Sequence, residues 1–309
     1  LRPSPLTRLL MPRLVCLFVP LFPLAARLRA EPELRTEAVI VCAGQGNAAR
    51  VVAASRRARQ AGIRNGHTLP QARALQPKVI ARGRDPICER SAQEALFEVG
   101  ESVSPRVEDA GEGVIFVELG SPEELDRRRR SKDSADADSA EREIAQFLER
   151  AAEHAGLPAQ AGVASSKLAA KVAASAIRKD GGPPIVTEGN EAAFLAPLPL
   201  ARLSPELDLA ETLSRWGLRS IGELARLPAS EVASRLGSEG HKLHAVARGL
   251  DPQPLVPRQP PLEFEEGLDC EWPLVNLEPL LFLGRSALDR VKDLMAVVLR
   301  GGEVTVTID

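Results

Sequence analysis

Apolar positions along this chain change period several times, and each change marks an element. Leu14–Val19 (LVCLFV) is short, continuously apolar and ended by Pro20, the pattern of a fully buried strand. Ala38–Cys42 predicts a second strand, closed by the turn-like AGQGN. From Val51 to Gly62 the pattern runs from a strand into a short basic helix that Gly62 stops. Leu69–Leu75 predicts a helix ended by Pro77, Ile87–Val103 has helical period, and Val114–Leu119 predicts a strand. Ile144–Ala155 (helix), Ala159–Ala164 (strand) and the alanine-rich Lys167–Arg178 (helix) come after them. Alternation of this kind places the chain in the α/β or α+β class.

From Pro197 to Gly249 the period is purely helical, in short pieces broken by Gly and Pro. Residues 251–262 hold five prolines and predict a stiff, extended linker. A strand (Phe264–Cys270), a long helix (Leu277–Leu299) and a strand (Val304–Ile308) come last. A β-α-β unit is a poor domain by itself, so an incomplete last domain is expected. Ser121–Glu141 is of low complexity and reads as a solvated loop, although Arg127–Arg130 within it could meet phosphate.

Composition narrows this picture. Hydrophobic residues are 44% and aromatics 3%, with no Tyr, so the cores must be built from Ala, Leu and Val. The net charge of −2 means that any nucleic-acid affinity rests on local patches. The four cysteines, Cys16, Cys42, Cys88 and Cys270, have no metal-ligand spacing, as for free thiols in a reducing cytoplasm. The stretch Leu14–Leu28 also has the length of an export signal. Pro20 and Pro23 would break its helix, however, and Arg27 and Arg29 stand where cleavage needs small residues. The strand reading is preferred, with Met11 as a possible start and residues 1–10 upstream of it. No apolar run is long enough to span a membrane.

Three segments carry candidate chemistry. Leu218–Gly240 (LRSIGELARLPASEVASRLGSEG) joins short helices by Gly-containing turns, with Ser220 and Ser230 as N-caps. It is read either as a helix-hairpin-helix, whose exposed backbone N–H groups take DNA phosphates, or as a plain helical bundle. His241 and His244 lack a third metal ligand and are expected on a polar helix face near the DNA backbone. In Ser55–Gly66, Arg56 and Arg59 share a helix face, alongside Arg57 and Arg64, and suit either a polyphosphate or solvent. In Gly162–Lys171, Lys167 and Lys171 form an i, i+4 pair at a helix start.

In order and spacing these segments resemble the Y-family DNA polymerases, the DinB/UmuC group. ASRRARQAGIRNGHTLPQARALQP (Ala54–Pro77) resembles the fingers motif ASYEARxxGVxxGMPxxxAxxLCP. SPRVEDAGEGVIFVELG (Ser104–Gly120) resembles the palm motif SPxVExxSIDEAYLDVTG, and GVASSKLAAKVAASAIRKDGGPPIV resembles GIAxNKxLAKIASxxxKPxG. The resemblance implies an α+β right hand with a ferredoxin-like palm, small fingers, a helical thumb with a helix-hairpin-helix, and a little finger. Its expected divisions are an extension (1–13), the first palm strand (14–29), fingers (30–77), palm (78–175, charged insertion 121–141), thumb (176–250), linker (251–262) and an incomplete little finger (263–309).

In that family, palm carboxylates hold two Mg²⁺ ions that activate the primer 3′-OH and stabilise the leaving pyrophosphate. Here Pro20 and Phe22 stand at the first two acidic positions, Gly113 and Val114 at the later Asp-Glu pair, and Ala25 at the aromatic steric gate. Glu112 is one residue out of register, and a one-residue shift along a strand turns the side chain to the other face, so it is not expected to replace the pair. Glu118 matches an acid that packs away from the ions. Arg59 and Lys171 match phosphate-binding positions, and Arg56 replaces the neighbouring Tyr.

This combination resembles the catalytically inactive ImuB branch of the family. It implies a DNA-binding adaptor in damage-induced mutagenesis, working with an ImuA-like protein, an error-prone replicative-type polymerase and the sliding clamp. No catalytic residue and no cofactor are then expected. Mg²⁺ enters only under the alternative of an active but diverged polymerase using Glu112 and Glu118, and a truncated remnant of either is a third reading. DNA contacts are expected at Gly217, Ser220, Gly222, Arg235, Gly237, Gly240 and Lys242. Gln259, Leu262 and Phe264 in QPPLEF fit a clamp-binding peptide or the linker-to-strand junction.

Overall fold

The computed structural model describes residues 12–120, 137–176, 182–250, 254–258 and 277–298. Its central layer is a four-stranded antiparallel sheet of β1 (Leu14–Phe18), β5 (Val107–Gly111), β6 (Val114–Glu118) and β7 (Gln160–Ala164), in the order β5-β6-β1-β7. Cys16 lies opposite Phe116 on one side and Gly162 on the other. Strand side chains alternate between faces. Val15, Leu17, Ile115, Val117 and Val163 pack with α4 (Pro86–Glu101) and α5 (Ala137–His154). Leu14, Cys16, Val114, Phe116 and Ala164 pack with α6 (Lys167–Ala174) and the helices beyond it. Both faces are covered, which is why β1 reads as a continuous apolar run rather than an alternating one.

The apolar pattern predicts no element directly after β1, yet Phe22–Ala30 forms a helix, α1, entered through Leu21 in the left-handed region (φ 53°). Pro23 sits in its first turn, where a missing N–H costs nothing. The prolines that break a longer apolar helix thus begin a short one.

A second sheet has the order β3-β2-β4, from β2 (Val39–Ala43), β3 (Arg50–Ala54) and β4 (Ile80–Gly83). β2 pairs antiparallel with β3 and parallel with β4. Ile80–Gly83 escapes sequence reading because it is four residues long and only partly buried. α2 (Arg56–Gln60) is capped by Ser55, and α3 (Leu69–Leu75) by a Thr68–Gln71 capping box.

Helix α5 corrects the boundary of the charged loop. It begins at Ala137, so Ala137–Glu141 is helical, and Glu141 is buried. The Arg13 guanidinium explains this, donating from Nε and Nη2 to both Glu141 carboxylate oxygens (2.8 and 2.6 Å) and from Nη1 to Ser165 Oγ and the Val186 carbonyl (3.0 Å each). A buried charge is tolerable only when its hydrogen-bonding capacity is met in this way. Residues 121–136 lie outside the described residues.

The helical part comprises α7 (Glu191–Leu195), α8 (Leu207–Arg215), α9 (Ile221–Ala225) and α10 (Ala229–Ala247). The proline-rich stretch is less free than expected. Leu255 is buried, the Arg258 N–H donates to the Val107 carbonyl (2.8 Å), and the Val256 N–H donates to Glu108 Oε2 (2.6 Å). Residues 254–258 therefore lie along the edge strand β5. Residues from Gln259 on form a separate unit, of which the helix α11 (Leu277–Val298) is described. The strands expected at 264–270 and 304–308 lie outside the described residues.

Candidate nucleic-acid interface and palm site

The end of β1 meets the turn between β5 and β6. The Val19 N–H donates to the Gly113 carbonyl (2.8 Å), and Phe18 lies opposite Val114. Phe22 is buried, and its ring lies so close to Gly113 that a Cβ there would come within 2.6 Å of it. Pro20, Phe22, Gly113 and Val114 are therefore gathered at one point of the fold, and Ala25 is buried one turn into α1.

Buried Gln93, which the sequence reading missed, braces this point. Its Oε1 accepts the Gly113 N–H (2.8 Å), and its Nε2 donates to Asp109 Oδ1 (2.7 Å) and the Val114 carbonyl (3.2 Å). The available signal was an amide among the apolar neighbours Ala92, Ala95 and Leu96 of α4. Glu112 needs a correction: it is in the β5–β6 turn at φ 48°, so strand parity does not decide its direction. Its carboxylate is exposed and lies 3.6 Å from Arg84 Nη2. Glu118 pairs with Arg106 (2.7 Å).

Of the phosphate candidates, Arg56 and Arg59 project from α2 beside the second sheet, and Lys171 from α6 over the first. All three are exposed, and among the described residues none forms an ion pair. Burial pushes the Cys16 thiol far up, with Lys171 pulling weakly the other way. Lys167 is committed elsewhere: its Nζ contacts Glu108 (2.7 Å) and the Pro254 carbonyl (2.9 Å).

In the helical part, Gly217 turns the chain after α8 at φ 76°, and Ser220 caps α9 reciprocally with Glu223. The amides of this first turn are used internally. Arg219 and Ser220 N–H donate to Glu223 Oε2, Ile221 N–H to the Leu198 carbonyl, and Gly222 N–H to the Ala196 carbonyl (2.9 Å). Those amide bonds hold the Glu223 carboxyl below its usual range. The expectation that Ser220 and Gly222 offer amides to phosphate is thereby corrected. Ser230 is not a cap either, because Pro228 takes that position.

The second turn is built differently. Gly237 (φ 66°, ψ −157°) breaks α10 within its length, and Gly240 packs against Leu236. Arg235 and Lys242 flank it, both exposed; Arg235 lies 4.0 Å from Glu231, and Lys242 is closely paired with Glu239 (2.7 Å). His244 is buried rather than on a DNA-facing surface, with its Nε2 2.9 Å from the Leu227 carbonyl. Gln259, Leu262 and Phe264 lie outside the described residues.

The impB/mucB/samB family model matches residues 17–175. The chain is 32% identical over 226 residues to DNA polymerase IV of Dehalococcoides mccartyi strain CBDB1, covering 72% of this chain and 55% of that protein. It is 31% identical over 231 residues to DNA polymerase IV of Desulfatibacillum aliphaticivorans, covering 73% and 54%. The chain thus spans about half the length of the curated relatives it matches. The fold is similar to the crystal structure of DinB from Sulfolobus solfataricus, with a TM-score of 0.58 and 16% identity over 79% of this chain and 69% of that one.

These relatives overturn the expectation that no cofactor is involved, because Y-family DNA polymerases are Mg²⁺-dependent. The side chains of this chain's palm do not fit the ion. Mg²⁺ takes oxygen ligands, and the positions to which the motif resemblance assigns it carry a proline, a packed phenyl ring, a glycine and a valine. Among the described residues no three His, Cys, Asp or Glu side chains are grouped to hold a metal. The match over residues 17–175 and the DinB-like fold together make this chain a member of the impB/mucB/samB family of Y-family DNA polymerase homologues.

Proposed function

We propose that this protein is a non-catalytic DNA-binding adaptor of damage-induced translesion synthesis, with the hand of a polymerase and no nucleotide transfer of its own. The observation that carries this reading is the palm point where Phe22 packs on Gly113, with Pro20 and Val114 beside it. Nucleotide transfer needs oxygen ligands around the primer end, and these side chains supply none. In this reading the four-stranded sheet is the palm, the three-stranded sheet the fingers, and α7–α10 the thumb. The turn around Gly237 takes DNA phosphates, helped by Arg235 and Lys242. An ImuA-like protein, an error-prone replicative-type polymerase and the sliding clamp are the partners that the ImuB resemblance suggests, and the cytoplasm is the location. No described helix is long and apolar enough to cross a membrane.

A second reading, an active but diverged translesion polymerase, is favoured by the curated relatives, which are named DNA polymerase IV. Primer extension on an undamaged and a lesion-bearing template, with Mg²⁺ or Mn²⁺, separates the two. Binding of primer-template without extension is expected. Extension that disappears on Glu112→Gln or Glu118→Gln substitution overturns the adaptor reading.

A further inference from the structure

We infer that the three-stranded sheet unit is a second nucleic-acid contact, one that holds the phosphodiester backbone by charge alone. This rests on the DNA-binding reading above but concerns a different surface from the helical turn at Gly237. Between Glu37 and Asp85 the sequence contains no Asp or Glu. The same span is rich in cations although the whole chain has a net charge of −2, so the rest of the molecule is net acidic.

Two of these cations, Arg82 and Arg84, are satisfied by Glu31 and Glu89 from outside the span (2.7 and 2.5 Å). The others are not. Besides Arg56 and Arg59, there are Arg50, Arg57, Arg64, Arg73 and Lys78, all exposed, and none forms an ion pair among the described residues. A solvated structural surface ordinarily intersperses both signs. Here seven like charges stand on a small unit whose core is aliphatic, a self-repulsion that a bound polyanion would relieve.

The fold draws several of them together. The turn between α2 and α3 is stitched to β3 by the Val51 N–H to His67 carbonyl bond (2.9 Å) and the Gly66 N–H to Val51 carbonyl bond (2.8 Å). Arg50 Nη1 donates to the Gly66 carbonyl (3.0 Å), which brings its guanidinium beside the turn that carries Arg64. The Gly62 N–H to Arg59 carbonyl bond (3.0 Å) closes α2 onto the same turn.

The span also has no Phe, Trp or Tyr, so it offers no platform on which bases stack. Exposed guanidinium groups pair with phosphate oxygens by charge and bidentate hydrogen bonds, a contact that positions the backbone whatever its sequence. The ligand class is therefore a nucleic-acid backbone, duplex or single-stranded.

The test is a salt titration of the full chain with labelled duplex and labelled single strand, over roughly 50 to 200 mM salt. Beside the wild type run Arg57→Gln/Arg64→Gln/Arg73→Gln/Lys78→Gln, the charge-keeping Arg57→Lys/Arg64→Lys/Arg73→Lys, and Arg235→Glu/Lys242→Glu in the thumb. The glutamine variant is expected to keep the wild-type melting temperature, lose about tenfold or more in affinity, and flatten the log affinity against log salt slope by roughly 2 to 4. The lysine variant is expected to bind like wild type. Unchanged affinity and slope in the glutamine variant, with loss in the thumb variant, overturn this surface and leave the adaptor reading standing. No DNA binding by the wild type overturns both. Displacement of DNA by inorganic triphosphate at equal phosphate concentration assigns the cations to a nucleotide pocket instead, and an acidic peptide that outcompetes DNA assigns them to a protein partner; either result overturns the proposal.

Discussion

At the scale of single residues, the fold tolerates no side chain where two backbones meet. Gly162 on β7 is the clearest case: a Cβ there would lie 2.2 Å from the Ala174 amide nitrogen and 2.6 Å from the Ala170 carbonyl oxygen. Neither atom belongs to a flexible side chain, so α6 must move. Gly162→Ala is expected to lose about 2–3 kcal/mol in urea unfolding; a loss under about 0.5 kcal/mol would show that α6 yields freely. Arg13 is the second case. Removing one partner of a buried, fully bonded pair leaves a bare charge, so Arg13→Met is expected to cost about 3–5 kcal/mol. Arg13→Met/Glu141→Leu should recover part of that loss, and a double variant no more stable than the single one would place the cost in packing instead. Neither partner was legible as such beforehand. Arg13 precedes an apolar run and Glu141 ends a charged stretch, and 128 residues separate them.

At the scale of elements, ionic contacts join the two sheets' supports. Glu31, just after α1, accepts from Arg82 of β4 at 2.7–3.1 Å and from Arg27 at 3.2 Å, and Arg27 reaches Asp85 at the start of α4 (3.3 Å). The Arg82 hydrogen bonds hold the Glu31 carboxyl below its usual value, and backbone amides at the start of α4 do the same for Asp85. A carboxyl with a depressed folded-state pKa stabilises the fold above its unfolded value of about 4.3 and loses that contribution as pH falls through the folded one. Unfolding followed from pH 6 to pH 2 should therefore show a wild-type stability decline below about pH 4.3 that is shallower in Glu31→Gln. Identical profiles would mean that the contact is as strong in the unfolded chain. The sequence pattern located most of these elements because each buries a regular apolar face. It missed β4 and α1, where burial is partial or the helix begins on proline.

At the scale of the whole molecule, the expected linker is the informative segment. Residues 254–258 are fastened to β5 by two backbone donors, by the Lys167–Glu108 pair, and by Arg258, which pairs with Glu94 (2.7 Å) and stacks over Phe97 (4.7 Å to the ring centre). An open sheet edge is a ready template for pairing, and this segment occupies it. Glu108→Gln/Arg258→Ala is expected to speed hydrogen exchange at the residue 258 amide and to expose the segment to protease, with the melting temperature little changed. Exchange as slow as in wild type would show that burial of Leu255 suffices alone. Five prolines predict an extended stretch over 251–262, of which residues 254–258 are described. They carried no signal for its docking, since the partners Val107 and Glu108 lie about 150 residues earlier in the chain.

The sequence by itself determined the order of strands and helices, the family resemblance and the absence of carboxylates at Pro20, Phe22, Gly113 and Val114. Those features depend on residue type and local period, which a chain carries whether or not it is folded. The tertiary structure alone decided that Phe22 fills the space over Gly113, that Gln93 braces the turn, that the Ser220 amides are already used, and that Glu112 leaves the strand. Each of these is set by which distant backbones come within hydrogen-bond or van der Waals reach. Composition along one chain does not encode that, because the same residue is free or committed according to its neighbour in space.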